Sequence, residues 1–232
     1  MEIKIQKINE NVKIVKEGFF KEHCNCYIIE DDKDVIIIDF GIGEINFSTI
    51  IDNYYNKNIT PVLTHFHFDH LLGIKEFDSI FCSNIIPKDF GLKYLSLDDF
   101  EKNTVDIKKF DSITNSYVEE LLNTTEKNYL SEKDIIKTLN FEFEIIYTPG
   151  HDSTSISLYE KNNKWLFCGD LIYDGELIVN LKDSSIQDYI ASLVKIKKLN
   201  IKYLLPGHNT IIEGNDIVGL IDKKIVFLKN KQ

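Results

Sequence analysis

With 232 residues, 43% of them hydrophobic, the chain is long enough to bury one large core, and we expect a single domain over residues 1–232. The net charge of −10, in which all 27 basic residues are Lys and none is Arg, disfavours nucleic acid as a partner. No apolar run reaches the roughly 18 residues of a membrane span. The four scattered cysteines are too few for a disulfide framework, so we expect a cytoplasmic protein with reduced thiols.

Apolar or alternating runs of strand length recur in both halves of the chain. They predict strands over residues 3–8, 12–15, 26–30, 35–39, 61–64, 79–82, 141–148, 155–159, 165–169 and 202–205. Strands of this length are interleaved with segments of helical spacing. This order predicts an α/β fold built from layers of sheet and helix.

Apolar residues at helical spacing predict two helices in the last third of the chain. The stripes are Ile186, Tyr189, Ile190, Leu193 and Ile196, and Ile217, Leu220, Ile221 and Leu228. Ser185 is the expected N-cap of the first helix. Weaker patterns indicate helices within residues 44–55 and 71–76, and the uneven segment 84–135 is interpreted as a mostly helical insertion.

The strongest functional signal follows the predicted strand 61–64 and reads His65-Phe-His67-Phe-Asp69-His70. Extended alternation sends His65 and His67 to the same side, whereas Asp69 and His70 diverge unless the chain turns, which suits ligands for two neighbouring ions. Imidazole and carboxylate groups fit zinc and also iron or manganese. Three of these residues and a water would satisfy one ion, so the cluster alone does not establish two.

Three further candidate ligands stand where predicted strands end. His151 and His208 each close an apolar strand that ends in Pro-Gly-His, in which Pro ends the strand and Gly permits a tight turn. Asp170 follows the predicted strand 165–169. Cys24 and Cys26 lie two apart on an apolar strand, and we interpret them as packing residues because no second cysteine pair completes a tetrahedral site.

These motifs, taken in order along the chain, resemble those of the metallo-β-lactamase superfamily. The resemblance spans residues 39–208 and implies an α/β fold, the four-layer αββα sandwich of that family. It also implies two divalent metal ions, with zinc favoured, and a supporting role for Asp39 behind the ligands. The implied ligands are His65, His67 and His151 for one ion, Asp69, His70 and His208 for the other, and Asp170 as a bridge between them.

Two cations a few ångströms apart lower the pKa of a bridging water to near neutrality, so the resemblance predicts a metal-dependent hydrolase. We expect the bridging hydroxide to attack the acyl carbon of a thioester, lactone or ester. One metal would stabilise the oxyanion, the second metal would stabilise the leaving group, and Asp69 would steer the proton. The expected partner is therefore a small-molecule acyl substrate.

Individual residues indicate which branches of the superfamily the chain resembles. Asp170 stands where the main zinc β-lactamases carry Cys, which disfavours antibiotic degradation, and His67 stands where flavodiiron proteins carry Glu. Tyr173 lies three residues after Asp170, where quorum-quenching lactonases carry a Tyr that assists the reaction of the substrate. The resemblance makes Tyr173 a second catalytic candidate beside Asp69. Ordinary packing at the rim of the site explains Tyr173 equally well. The stretch 168–177 resembles a branch that includes acyl-CoA thioesterases.

Apolar residues of the predicted insertion could wall an acyl pocket or fill the core. They are Phe90, Leu92, Tyr94, Leu95, Leu97 and Phe100. Two other functions stay open, namely a phosphodiesterase or nuclease of the same fold and a non-catalytic metal-binding protein. The sequence leaves the exact substrate, the native metal and the oligomeric state undetermined.

Overall fold

The computed structural model describes residues 4–16, 24–85, 87, 90–92, 113–214 and 216–231. The chain forms two compact units. The first comprises Met1–Cys82 and Asp89–Asn128, and the second comprises Ser83–Lys88 and Tyr129–Gln232. The prediction of a single domain over residues 1–232 stays a prediction.

The first unit is built on a mixed sheet of seven strands in the order β1-β2-β3-β4-β5-β6-β7. Its strands are β1 Lys4–Lys7, β2 Val12–Lys16, β3 Asn25–Glu30, β4 Asp34–Ile38, β5 Asn58–Val62, β6 Ser79–Ser83 and β7 Glu126–Leu130. Strands β1 to β4 are antiparallel, whereas β5 pairs in parallel with β4 and β6. Ile38 lies opposite Val62, so the segments that leave β4 and β5 start at the same edge of the sheet.

Short helices connect these strands. They are α1 Phe47–Ile51, a 3-10 turn Asp52–Tyr54, α2 Phe68–Leu71, a 3-10 turn Leu72–Glu76 and α3 Asn115–Thr124. The Asn46 side chain caps α1 and the Thr114 side chain caps α3, each accepting from a backbone N–H of the first turn. The core of this unit includes Val35, Ile37 and Phe40 beside helix residues such as Phe47 and Leu71.

The second unit is built on a sheet of six strands in the order β13-β12-β11-β10-β9-β8. Its strands are β8 Ile135–Lys137, β9 Glu142–Tyr147, β10 Ile156–Glu160, β11 Trp165–Gly169, β12 Tyr203–Pro206 and β13 Ile212–Glu213. Strand β10 is antiparallel to both β9 and β11, and β12 is parallel to β11. Strands β9, β11 and β12 therefore run in one direction and end at the same edge of the sheet.

Two helices, α4 Ile186–Ile196 and α5 Asp216–Lys229, complete the second unit. The Ser185 hydroxyl accepts from Asp188 N at 3.2 Å, which confirms the predicted N-cap. The buried stripe of α4 includes Tyr189, Leu193 and Ile196. These side chains share one core with Leu166 and with residues of α5, so the helix covers the sheet as its spacing predicted.

Most predicted elements coincide with the observed ones, and the segment 84–135 shows the main difference. Within it the described residues form α3 and the strand β7. The other residues of the segment, 86, 88–89 and 93–112, lie outside the described part, as do Tyr94, Leu95, Leu97 and Phe100 of the predicted pocket wall. The largely helical character of the segment stays a prediction.

A search for membrane-spanning segments covered the part of the chain that the structure describes. None of the helices there combines the length and the apolar character that crossing a bilayer requires.

Candidate metal centre

The first group of candidate ligands lies on the His-rich loop, residues 64–70, which follows β5. The loop runs extended through His67, whose φ and ψ are −74° and 147°, and then enters the single helical turn α2. The ring centroid of His65 lies 4.6 Å from that of His67 and 4.2 Å from that of His70. The turn therefore gathers three buried imidazoles, with the partly exposed Asp69 beside them.

Asp39 stabilises the His-rich loop through hydrogen bonds. Its backbone adopts the left-handed conformation, with φ of +61°, which Asp tolerates better than most residues. Its carboxylate accepts from Thr64 N at 2.8 Å and from Thr64 Oγ1 at 2.8 Å, and Oδ2 lies 2.9 Å from His70 Nδ1. Because an ionised carboxylate only accepts, Nδ1 of His70 carries the ring proton and Nε2 presents a lone pair. Asp39 thus occupies the supporting position that the resemblance implied.

Residues 90 and 91 also contact the His-rich loop. Phe68 N donates to Phe90 O at 2.9 Å. Gly91 has φ of +71°, and a Cβ there would lie 3.2 Å from both Cγ and Cδ2 of His67. A side chain at this position would press on the imidazole, so the glycine leaves room for the His67 ring. The sequence carried no signal for this contact beyond the glycine itself.

The cysteines of the first unit are buried and free. A hydrogen bond to the Cys26 thiol, followed by burial, raises the pKa of Cys24 well above its ordinary value. Burial raises the pKa of Cys82 to about 12. The Cys24 and Cys82 thiols are therefore neutral at physiological pH, and the burial of Cys24 and Cys26 agrees with their interpretation as packing residues.

The second group of candidate ligands lies at the common edge where β9, β11 and β12 end. Asp170 follows β11 directly, and His151 and His208 follow the Pro-Gly turns after β9 and β12. Asp170 Oδ2 is 3.1 Å from His208 Nε2 and 3.4 Å from His151 Nε2. All three residues are buried. Both predicted Pro-Gly-His turns therefore aim their imidazoles at one carboxylate.

Hydrogen bonds to backbone carbonyl oxygens restrain two of these ligands. His151 Nδ1 lies 3.3 Å from Ile178 O, which points Nε2 toward Asp170. The Tyr189 hydroxyl donates to Asp170 O at 2.8 Å. Burial raises the pKa of Tyr189 well above its ordinary value, so the hydroxyl keeps the proton that it donates. The apolar spacing predicts only a packing role for Tyr189; the signal that could have revealed its contact with Asp170 is a hydroxyl in an otherwise aliphatic stripe.

The catalytic role predicted for Tyr173 stays a prediction. Its side chain is fully buried, and its hydroxyl donates to Glu176 O at 3.1 Å. Its ring meets that of His208 edge to face, with 5.8 Å between centroids. These contacts place Tyr173 against a candidate ligand, where it restrains the orientation of the imidazole.

The chemistry of both groups fits a divalent metal. The candidate ligand residues are His65, His67, Asp69, His70, His151, Asp170 and His208. Ligand atoms about 2.0–2.1 Å from a tetrahedral ion lie roughly 3.4 Å apart, close to the two separations from Asp170 Oδ2 given above. Imidazole nitrogen with carboxylate oxygen suits zinc, iron or manganese alike.

Comparison with known proteins defines the family. The model of the metallo-beta-lactamase superfamily matches residues 20–208. Because this match covers well over half of the chain, the chain belongs to that superfamily.

Particular relatives and structures agree with this assignment. The chain is 25% identical over 236 residues to the acyl-coenzyme A thioesterase MBLAC2 of Bos taurus, covering 88% of this chain and 80% of the relative. It is 25% identical over 172 residues to the hydroxyacylglutathione hydrolase of Buchnera aphidicola, covering 71% of this chain and 51% of that relative. A metallo-beta-lactamase from Pontibacter korlensis matches with a TM-score of 0.71 at 16% identity, over 99% of this chain and 100% of that chain.

These comparisons confirm three predictions. The predicted family is correct, and the predicted α/β fold, the αββα sandwich of that family, is confirmed by the structural match. The predicted enzyme class, a hydrolase of this superfamily, is confirmed by the family and by the hydrolases among the relatives. The ligand assignments to individual metal ions stay predictions.

Proposed function

We propose that the chain is a metal-dependent hydrolase of thioesters, with an acyl-CoA or a related acyl-thiol as substrate. We assign His65, His67 and His151 to one divalent ion, Asp69, His70 and His208 to a second, and Asp170 to both. Zinc is the favoured metal, and iron or manganese suits the same donors. The four buried free thiols support a reducing, cytoplasmic location.

The observation that carries the proposal is the position of the Asp170 carboxylate. Its Oδ2 lies within 3.4 Å of two imidazole Nε2 atoms, in a pocket of side chains that are almost fully buried. Burying a carboxylate is unfavourable unless a positive charge compensates it. A divalent cation supplies that charge and, when bound, provides a Lewis acid that activates water and polarises a carbonyl.

The chain's own residues then orient the reactants and move the proton. Asp69 is the partly exposed member of its group, and its Oδ2 lies 3.6 Å from His70 Nε2. Its carboxylate can therefore reach a water molecule at the surface of the site. In the proposed reaction, Asp69 receives a proton from the water whose oxygen attacks the acyl carbon. The C–S bond breaks as the thiolate departs with its electron pair.

A thioester suits this set of groups better than an oxygen ester. A thiol has an ordinary pKa of about 8.5, so a thiolate leaves without first gaining a proton. A single carboxylate, that of Asp69, is then sufficient, because only the proton of the attacking water has to be accepted. The names of the two relatives, an acyl-CoA thioesterase and a hydrolase of an acyl-glutathione, support the same substrate class.

The other candidate functions receive less support. A lactonase role for Tyr173 requires its hydroxyl to reach the substrate, whereas that hydroxyl is buried and donates to Glu176 O. A nuclease would bind a polyanion with a net charge of −10 and no arginine, which opposes association. A non-catalytic metal-binding protein would keep the same ligands and is separated from the proposal by the experiment below.

The decisive experiment compares hydrolysis of a medium-chain acyl-CoA, a matched acyl-lactone and a simple phosphodiester by the metal-loaded protein. We expect thioester turnover that a chelator abolishes and added zinc, iron or manganese restores. Asp69→Ala should reduce kcat by about 100- to 10,000-fold, the usual range for a group that transfers a proton. Asp32→Ala, at an exposed turn of the same unit, is the matched control and should retain wild-type rates.

Each other outcome has a definite meaning. Full activity in metal-free protein would contradict the proposal. Two bound metals without turnover of any substrate would establish the non-catalytic alternative. A preference for the lactone that disappears in Tyr173→Phe would replace the thioesterase assignment with the lactonase assignment.

A further inference from the structure

Helix α4 is hydrogen-bonded to both segments that carry His151 and Asp170. The Tyr189 hydroxyl donates to Asp170 O at 2.8 Å. Ser185 N donates to Gly150 O at 2.9 Å, and the Ser192 hydroxyl donates to Pro149 O at 2.6 Å. One rigid element therefore contacts the backbone of two loops that are far apart in sequence.

The turn before His151 also touches α4 directly. Gly150 has φ of +146°, and a Cβ built there would lie 2.3 Å from Tyr189 Cα and 2.6 Å from Tyr189 Cβ. Only glycine permits this backbone conformation and this approach. The turn and the first helical residues are thus in van der Waals contact, and a shift of the helix displaces the turn.

The contact at Asp170 acts on the carboxylate through the residue's own backbone. A hydrogen bond to its carbonyl restrains ψ of Asp170 and, with it, the direction of the Cα–Cβ bond. Asp170 Oδ2 lies 3.1 Å from His208 Nε2, a separation that a small rotation of the peptide would change. Tyr189 is fully buried, so water does not replace its hydroxyl readily.

We propose that Tyr189 is a positioning residue whose hydroxyl sets the Asp170 carboxylate, and that α4 thereby holds Asp170 and His151 at a fixed separation. The inference rests on the proposed metal-binding function and extends it to a residue outside the ligand set. Tyr189 touches no substrate in this role. Tyr189 influences the affinity for metal because it sets the positions of the ligands.

The test compares Tyr189→Phe with a matched control, Tyr159→Phe. The Tyr159 hydroxyl donates to the backbone carbonyl of Asn200 at 3.1 Å, and Tyr159 is buried in the same core. Both variants remove one hydroxyl from a buried ring, and Tyr159→Phe should lose less stability because its hydroxyl is only partly buried. Zinc affinity is measured by competition with a chromophoric chelator, and cobalt-substituted protein reports ligand geometry through its visible absorption.

We expect Tyr189→Phe to bind zinc about 10-fold more weakly than the wild type, at the lower end of the usual range for groups behind a ligand, and to shift the cobalt spectrum. Tyr159→Phe should match the wild type in both measurements. Ser192→Ala should weaken binding in the same direction through the His151 turn. Wild-type affinity and spectrum in Tyr189→Phe would overturn the inference, whereas failure of the wild type to bind metal would overturn the proposed function instead.

Discussion

Replacing Asp39 with Asn would test how one carboxylate controls the His-rich loop. Asn tolerates the left-handed backbone at this position, where φ is +61°, so the substitution changes donors and acceptors without adding backbone strain. Asp39 accepts from Thr64 N and Thr64 Oγ1 and contacts His70 Nδ1. An Asn amide would donate to Nδ1, which moves the ring proton to Nε2, the nitrogen proposed to bind metal.

The size of the effect follows from these contacts. A hydrogen bond to a charged group contributes about 1.5–3 kcal/mol, and Asn keeps a single acceptor oxygen for Thr64 N. The Thr64 hydroxyl can rotate to accept from the amide, so we expect a net loss of about 2–4 kcal/mol in the free energy of unfolding. Metal affinity should fall about 10- to 100-fold, because His70 loses the partner that sets its tautomer.

Glu160→Gln provides the control for Asp39→Asn. Glu160 is also fully buried and accepts from Asn162 N, Asn163 N and Asn163 Nδ2. Urea denaturation should show comparable losses of stability in the two variants, and chelator competition should show weaker zinc binding in Asp39→Asn alone. Equal zinc affinity in Asp39→Asn and wild type would refute the tautomer argument.

Two further predictions concern glycine positions and a buried thiol. Gly150→Ala places a methyl group 2.3 Å from Tyr189 Cα and should lower the melting temperature by an amount equivalent to about 3 kcal/mol. Gly219→Ala, with open space at its Cβ, should raise the free energy of unfolding by about 1 kcal/mol; wild-type stability in Gly150→Ala would contradict the packing. Because burial raises the pKa of Cys82 from 9.0 to about 12, the native thiol stays protonated while the unfolded thiol ionises above about pH 9. The free energy of unfolding should therefore fall as the pH rises from 9 to 12, by up to about 1.4 kcal/mol per pH unit more in the wild type than in Cys82→Ala. It is measured by urea denaturation at each pH, and an equal pH dependence in the two proteins would contradict the prediction.

Local chemistry explains why much of the fold was predictable. The N-cap Ser185 and the apolar stripe of α4 act within a few residues, so the sequence pattern placed that helix at residues 186–196. The two Pro-Gly-His turns end strands for reasons of backbone geometry alone. Their histidines therefore lie at the sheet edge where the sequence put them.

Features that depend on distant residues were not predictable in the same way. Strand β7, Glu126–Leu130, lacks an alternating apolar pattern and lies at the edge of its sheet, where pairing with a neighbour decides its conformation. The contact of Tyr189 with Asp170 O joins residues 19 positions apart. No local sequence period predicts a contact between residues so far apart, so the pattern indicates only a packing role for the Tyr189 side chain.

The direction of β11 also offers a practical route to monitoring the protein. Asp170 follows one end of this strand, and the exposed turn of residues 161–163 precedes the other end. Five residues of extended chain separate the two ends by about 17 Å. A fluorophore attached through Asn162→Cys would sit within energy-transfer range of a coloured ion such as cobalt while avoiding contact with the ligands. Because the four native thiols are buried, such a label would attach selectively, and loading could be followed optically in dilute samples.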